Sequence, residues 1–185
     1  NEMTNIESFR ETITNGYTFK GDAITLGGAV YEGQPIENAL VKLPLKTLNR
    51  HGLIAGATGT GKTKTLQVIA ENLSKKGVPV LLMDLKGDLS GIAASGEVKP
   101  FILERLGKIG LDFQPQAFPT ELLTISAQKG VRMRATISEF GAVLLSRILD
   151  LSDIQEGVLA VVFKYCDDHA LPLLDLKDLK KILQY

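Results

Sequence analysis

Gly52-Leu-Ile-Ala-Gly-Ala-Thr-Gly-Thr-Gly-Lys-Thr63 decides how the rest of the chain is read. A short apolar run enters a glycine-rich turn, and a lysine and a hydroxyl residue follow where a helix is expected to open. Gly56, Gly61, Lys62 and Thr63 complete G-x-x-x-x-G-K-[ST], the phosphate-binding P-loop pattern. In such a loop, glycines free the backbone so that successive N–H groups surround an anion. The following helix presents its positive end to the same anion. The expected nucleotide-binding set is Gly56, Ala57, Thr58, Gly59, Thr60, Gly61, Lys62, Thr63 and Lys64. Lys62 and Thr63 are the catalytic candidates, and the Thr63 hydroxyl is the candidate Mg²⁺ ligand.

Outward from the loop, Gly52–Gly56 reads as a buried strand and 61–76 as a helix, with Leu66, Ile69, Ala70 and Leu73 on one face. Gly77 is a C-terminal stop. Val78-Pro-Val-Leu-Leu-Met-Asp84 is nearly continuous in apolar residues, the pattern of a parallel strand covered on both faces. Strand, loop, helix and strand make one right-handed βαβ unit. Asp84 has two readings: a strand-end carboxylate at the nucleotide or its Mg²⁺, or a cap for the turn that follows. Capping or contact at the nucleotide rim is favoured over direct catalysis, because Leu85 stands where many ATPases carry a glutamate. Asp84-Leu-Lys-Gly87 also fits the D-x-x-G of GTPases, but the chain has no N-K-x-D motif, which disfavours guanine nucleotides.

The two stretches 51–63 and 80–88 together resemble the HerA/FtsK superfamily of P-loop motors. Asp84–Ala94, Val131–Phe140 and Leu149–Gly157, with the run at 173–179, are similar to bacterial HerA-like proteins of the YjgR type. The resemblance covers most of the chain from about residue 17. It implies an α/β fold with a P-loop NTPase core of the RecA/ASCE type, a parallel sheet that is incomplete in this chain. It also implies an ATPase using ATP and Mg²⁺ for work on DNA or another polymer, and a ring of copies, hexameric by family pattern. In that family an Asp-Glu pair ends a later strand, so the residue that positions water is expected outside this chain.

The remaining sequence divides around this core, giving three expected segments: 1–48, 49–130 and 131–185. Residues 1–15 carry Ile6, Phe9 and Ile13 at helical spacing. Residues 17–48 show short apolar runs between glycine turns, the pattern of a β hairpin, with Pro44 confining Val41–Leu45 to an edge. A short helix is expected after Asp84, another over Pro100–Gly107, and a third core strand over 121–126. Beyond 136 three helices are expected as a small bundle. The first, Ser138–Leu149, carries Val143, Leu144, Ile148 and Leu149. The second starts at Ser152, in capping-box spacing with Gln155, and puts Ile154, Val158, Val161, Val162 and Tyr165 on one face. The third starts at Asp175.

Bulk properties bound the reading, although a basic patch can still sit within a neutral total. Lys+Arg and Asp+Glu are equal at 21, so no global charge points to nucleic acid or an acidic membrane. No run approaches the roughly 18 apolar residues of a membrane span. The single cysteine, Cys166, forbids an internal disulfide and fits a reducing compartment, so a cytoplasmic location is expected. The N-terminus lacks a signal pattern and does not begin with Met, and both ends fit a piece of a longer protein. Arg132 and Arg134 read as solvated surface before arginine fingers, and Lys177, Lys180 and Lys181 as a solvated helix face before a DNA patch. His51 reads as a strand-edge residue, and His169 lacks the partners for zinc. The competing functional class is a regulatory or scaffold protein that binds nucleotide without turning it over. A small phosphotransferase has only the fold in its favour.

Overall fold

The computed structural model describes residues 2–185, with side chains from residue 5 onward. The chain forms two compact units, Asn1–Thr120 and Glu121–Tyr185.

The first unit opens with α1 (Glu2–Gly16), the expected N-terminal helix; Asn1 lies outside the described residues. The hairpin follows as β1 (Ala23–Tyr31) and β2 (Gln34–Pro44), antiparallel, with Ala23 opposite Pro44 and Tyr31 opposite Gln34. Glu32 and Gly33 form a two-residue loop, both at positive φ (47° and 80°), the twist that matches right-handed strands. Ile6, Phe9 and Ile13 of α1 pack on Ala29, Ile36 and Ala39, and the Phe9 and Tyr31 rings lie 5.0 Å apart. α2 (Lys62–Lys75) packs on β1, and Lys76 beyond its end pairs with Asp22 at 3.3 Å. Gly77, at φ 73°, ends it as the sequence suggests. α3 (Pro100–Gly107) occupies the expected residues, and a short 3₁₀ turn covers Ser90–Ala93. Gly28 of β1 leaves room for Ile109, whose side chain a Cβ there would meet at 2.6 Å.

Two expected strands are not formed. Gly52–Gly56 and Val78–Asp84 run without regular structure, with Leu53, Leu81 and Met83 at least 81% exposed. A parallel strand exists only as a rung of a ladder. Among the described residues neither segment has a strand to pair with, so the apolar pattern does not become a sheet. The third expected core strand, 121–126, shrinks to β3 (Leu123–Thr124), which pairs in parallel with β4 (Val131–Arg132). The fold is α/β with small sheets, and the expected parallel-sheet core is not assembled among the described residues.

In the second unit, α4 (Ile137–Ile148), α5 (Asp153–Asp168) and α6 (Leu176–Ile182) enclose Ile137, Leu145, Leu159, Phe163, Cys166, Leu173 and Leu179. Each helix starts with a full capping box: Thr136 with Glu139, Ser152 with Gln155, Asp175 with Asp178. Ser138 N–H donates to Leu173 O and Leu173 N–H to Ser138 Oγ, which closes α4 onto the segment leading to α6. The inward faces differ from the expected ones. α5 carries two apolar stripes, and packing buries Leu159, Phe163 and Cys166; of the expected face Val162 packs on this core, while Ile154, Val158, Val161 and Tyr165 stay exposed. In α4, Gly141 breaks the helix at φ 69°, ψ 165°; Leu145 faces inward, and Val143, Leu144, Ile148 and Leu149 are turned out. These two stripes give a direct test. Leu159→Ala is expected to cost the protein about 2–5 kcal/mol, and Val161→Ala, at an exposed site, no more than about 0.5 kcal/mol. Denaturant midpoints of the two variants check the assignment of the inward face.

Candidate functional site

Residues 56–64 form an exposed loop running into the first turn of α2. Gly59 and Gly61 sit at φ 84° and 94°, which side chains rarely adopt, and Gly61 is the N-cap of α2. A Cβ on Gly56 would meet Thr60 Oγ1 at 2.5 Å. Thr60 Oγ1 donates to Ala57 O (2.8 Å) and closes the turn. The Lys62 ammonium crosses the loop and donates to Gly56 O and Ala57 O, both at 2.7 Å. The pattern residues Gly56, Gly61, Lys62 and Thr63 therefore share one turn, with Ala57, Thr58, Gly59 and Thr60 inside it.

The electrostatics of α2 differ from those of the bundle helices. α4, α5 and α6 each carry acid in the first turn, as the positive end of a helix favours. α2 carries none, and its first residues include Lys62 and Lys64. Two cations at a positive helix end work against folding on their own, and such a local conflict is the mark of a functional segment. An anion on the loop would relieve it.

Asp84 stands at the head of a tight turn. Its Oδ1 accepts from the backbone N–H of Lys86 (3.3 Å), Gly87 (2.8 Å) and Asp88 (3.1 Å). Its Oδ2 accepts from Leu89 (2.9 Å) and Ser90 (3.2 Å). Both oxygens are thus engaged in capping, one of the two roles open to Asp84 from the sequence. Loss of water contact pushes its pKa up, but the N–H bonds from Leu89, Gly87, Ser90 and Lys86 outweigh this and hold it below the ordinary carboxylate range.

Gln67 joins the two elements, and sequence reasoning missed it. It is buried in α2, Oε1 accepting from Lys64 Nζ and Nε2 donating to Asp88 O, each at 2.9 Å. Its signal was a polar residue in the stripe that carries Ala70. The other candidates stay apart. Arg132, Arg134, Lys177, Lys180 and Lys181 are exposed. Cys166 is buried in the bundle, where burial and then Asp167 push its thiol up, the opposite of an activated nucleophile. His169 caps α5, with Nδ1 2.9 Å from Tyr165 O. Among the described residues no three His, Cys, Asp or Glu side chains gather as a metal site, and no helix is long and apolar enough to cross a membrane.

The family model described as Helicase HerA-like C-terminal matches residues 30–185. The chain belongs to that family. The match takes in β2, the loop, the Asp84 turn and the whole bundle, and it begins beyond α1 and most of β1. Comparisons with curated proteins and with solved structures returned no match.

The Asp84 turn of this HerA-like chain is expected to depend on pH. A carboxyl whose pKa is depressed on folding stabilises the turn above its unfolded pKa, and that contribution is lost as pH falls through the folded value. Exchange at the amides of 86–90 is therefore expected to lose protection, relative to intrinsic rates, as pH drops below the ordinary carboxylate range. In Asp84→Ala that protection is expected to be low at every pH. Site-specific amide exchange across an acid series checks both expectations.

Proposed function

We propose that this HerA-like chain binds ATP with Mg²⁺ on Gly56–Thr63 and belongs to an ATPase that turns hydrolysis into work on DNA or another polymer. The observation that carries the reading is the loop itself: the G-x-x-x-x-G-K-[ST] pattern on a positive-φ turn, opening a helix with two lysines and no acid in its first residues. HerA-like family membership over residues 30–185 supports the ATPase class.

The backbone N–H groups of the loop and the first turn of α2 would hold the phosphates. Lys62 would exchange Gly56 O and Ala57 O for phosphate oxygens, an exchange favoured because the ammonium then meets full anionic charge in place of the partial charge of a carbonyl. Thr63, exposed in that first turn, fits a Mg²⁺ that keeps most of its ligands as phosphate and water. Bound Mg²⁺ would offset charge on the transferring phosphoryl group. We further propose that residues 49–130 are the P-loop NTPase core, that the apolar runs 52–56 and 78–84 become parallel strands when paired, and that copies assemble as a ring. A second reading rests on Asp84. Its carboxylate is committed to five backbone N–H groups and Leu85 follows it, an arrangement suited to holding nucleotide without turning it over.

Nucleotide binding and phosphate release, measured with and without Mg²⁺, test both readings. Lys62→Ala is expected to weaken ATP binding about 10- to 100-fold, the worth of a hydrogen bond to a charged group, and to abolish phosphate release. Tight binding without phosphate release would favour the second reading. Absence of ATP binding, or binding unchanged by Lys62→Ala, would sink both.

A further inference from the structure

Two polar side chains are buried among the described residues, Gln67 and Ser146. Ser146 is satisfied inside its own helix, its hydroxyl donating to Ala142 O at 2.7 Å. Gln67 bonds out of its helix. It takes the Lys64 ammonium on Oε1 and gives Nε2–H to Asp88 O, and the N–H of that same peptide group, Leu89 N–H, donates to Asp84 Oδ2. An unbroken series of hydrogen bonds thus runs from the first turn of α2 to the carboxylate that organises 85–90.

A carboxamide suits this position because it is donor and acceptor at once. An ionised glutamate would keep Lys64 but could not donate to Asp88 O, and a leucine would do neither. A cation on the acceptor end also polarises the amide and strengthens the bond at its other end. Burial raises the stakes, since either group left unpaired there costs its full desolvation.

We propose that Gln67 is a positioning residue that couples the phosphate-binding loop to the Asp84 turn, so that an occupied loop and an ordered turn stabilise each other. The proposal rests on the reading of Gly56–Thr63 as a nucleotide site. Opening of the turn must break or carry with it the Gln67 bond, and through Gln67 it disturbs the first turn of α2. A ligand that binds only the intact first turn therefore makes opening of 85–90 rarer, and linkage makes the effect reciprocal. The turn becomes a place where loop occupancy can be read by whatever contacts it.

Amide exchange at 86–90 tests this, followed with and without ATP and Mg²⁺ in the native protein, Gln67→Leu and Gln67→Glu. In the native protein, ATP at ten times its Kd is expected to slow exchange there by up to about tenfold. In both variants ligand-free exchange should be about tenfold faster, for the loss of one buried hydrogen bond. The ATP-dependent slowing should vanish while ATP still binds. Gln67→Glu is nearly isosteric and decides the matter if Gln67→Leu does not fold. A purely packing role for Gln67 would leave the ATP response intact in the variants, and that result overturns the coupling. So does a native protein that binds ATP with no change at 86–90, an outcome that leaves the nucleotide-site reading standing. A native protein that binds no ATP overturns that reading and the coupling with it.

Discussion

Backbone N–H groups without a carbonyl partner set the local architecture of this chain. Every helix start and tight turn produces them, and burying or straining one without an acceptor costs free energy comparable to a lost hydrogen bond. In the bundle they are met by side chains of the chain itself: Thr136, Ser152 and Asp175, each reinforced by a partner three residues on. At 86–90 a single carboxylate, Asp84, meets five of them. The start of α2 has no such acid and carries lysines instead. The same physical need thus separates the bundle helices, which cap themselves, from α2, whose first turn carries two lysines and no acid. α3 also lacks a side-chain cap and first-turn acid, but it opens with Pro100 behind Lys99 and carries no glycine loop.

The fold places that terminus by packing α2 on β1, with Lys76 and Asp22 paired beyond its far end. The hairpin is in turn covered by α1 through Ile6, Phe9 and Ile13. From this platform Gln67 reaches the Asp84 turn, so two stretches that are more than twenty residues apart in sequence meet through one side chain.

Much of the local structure was legible. Pro100 and Gly107 bound α3 as expected, Gly77 ends α2, and Ser152 with Gln155 starts α5. These are short-range signals, decided within one helical turn. The Thr136–Glu139 box was equally visible as a T-x-x-E spacing but passed over, so α4 begins one residue before the expected Ser138. Faces were less legible. α5 offers two apolar stripes, and only its neighbours choose between them. A Cα-level kink at Gly141 re-aims the rest of α4, which periodicity across an unbroken helix cannot anticipate.

The sequence by itself determined most helix termini, the hairpin character of 17–48 and the grouping of Gly56–Thr63 into one loop, because each depends on neighbours along the chain. It did not place the hairpin turn, since the expected glycine turn at Gly27 and Gly28 lies inside β1 and Glu32-Gly33 makes the turn instead. It could name Asp84 as a cap but not count its partners. Tertiary structure alone decided that Gln67 links α2 to the Asp84 turn, which stripe of α5 is buried, and that 52–56 and 78–84 are not strands here. The reason is common to all three. A strand, an inward face or a bridging amide is defined by what stands opposite it, and the apolar or polar character of a residue states a need without supplying the partner.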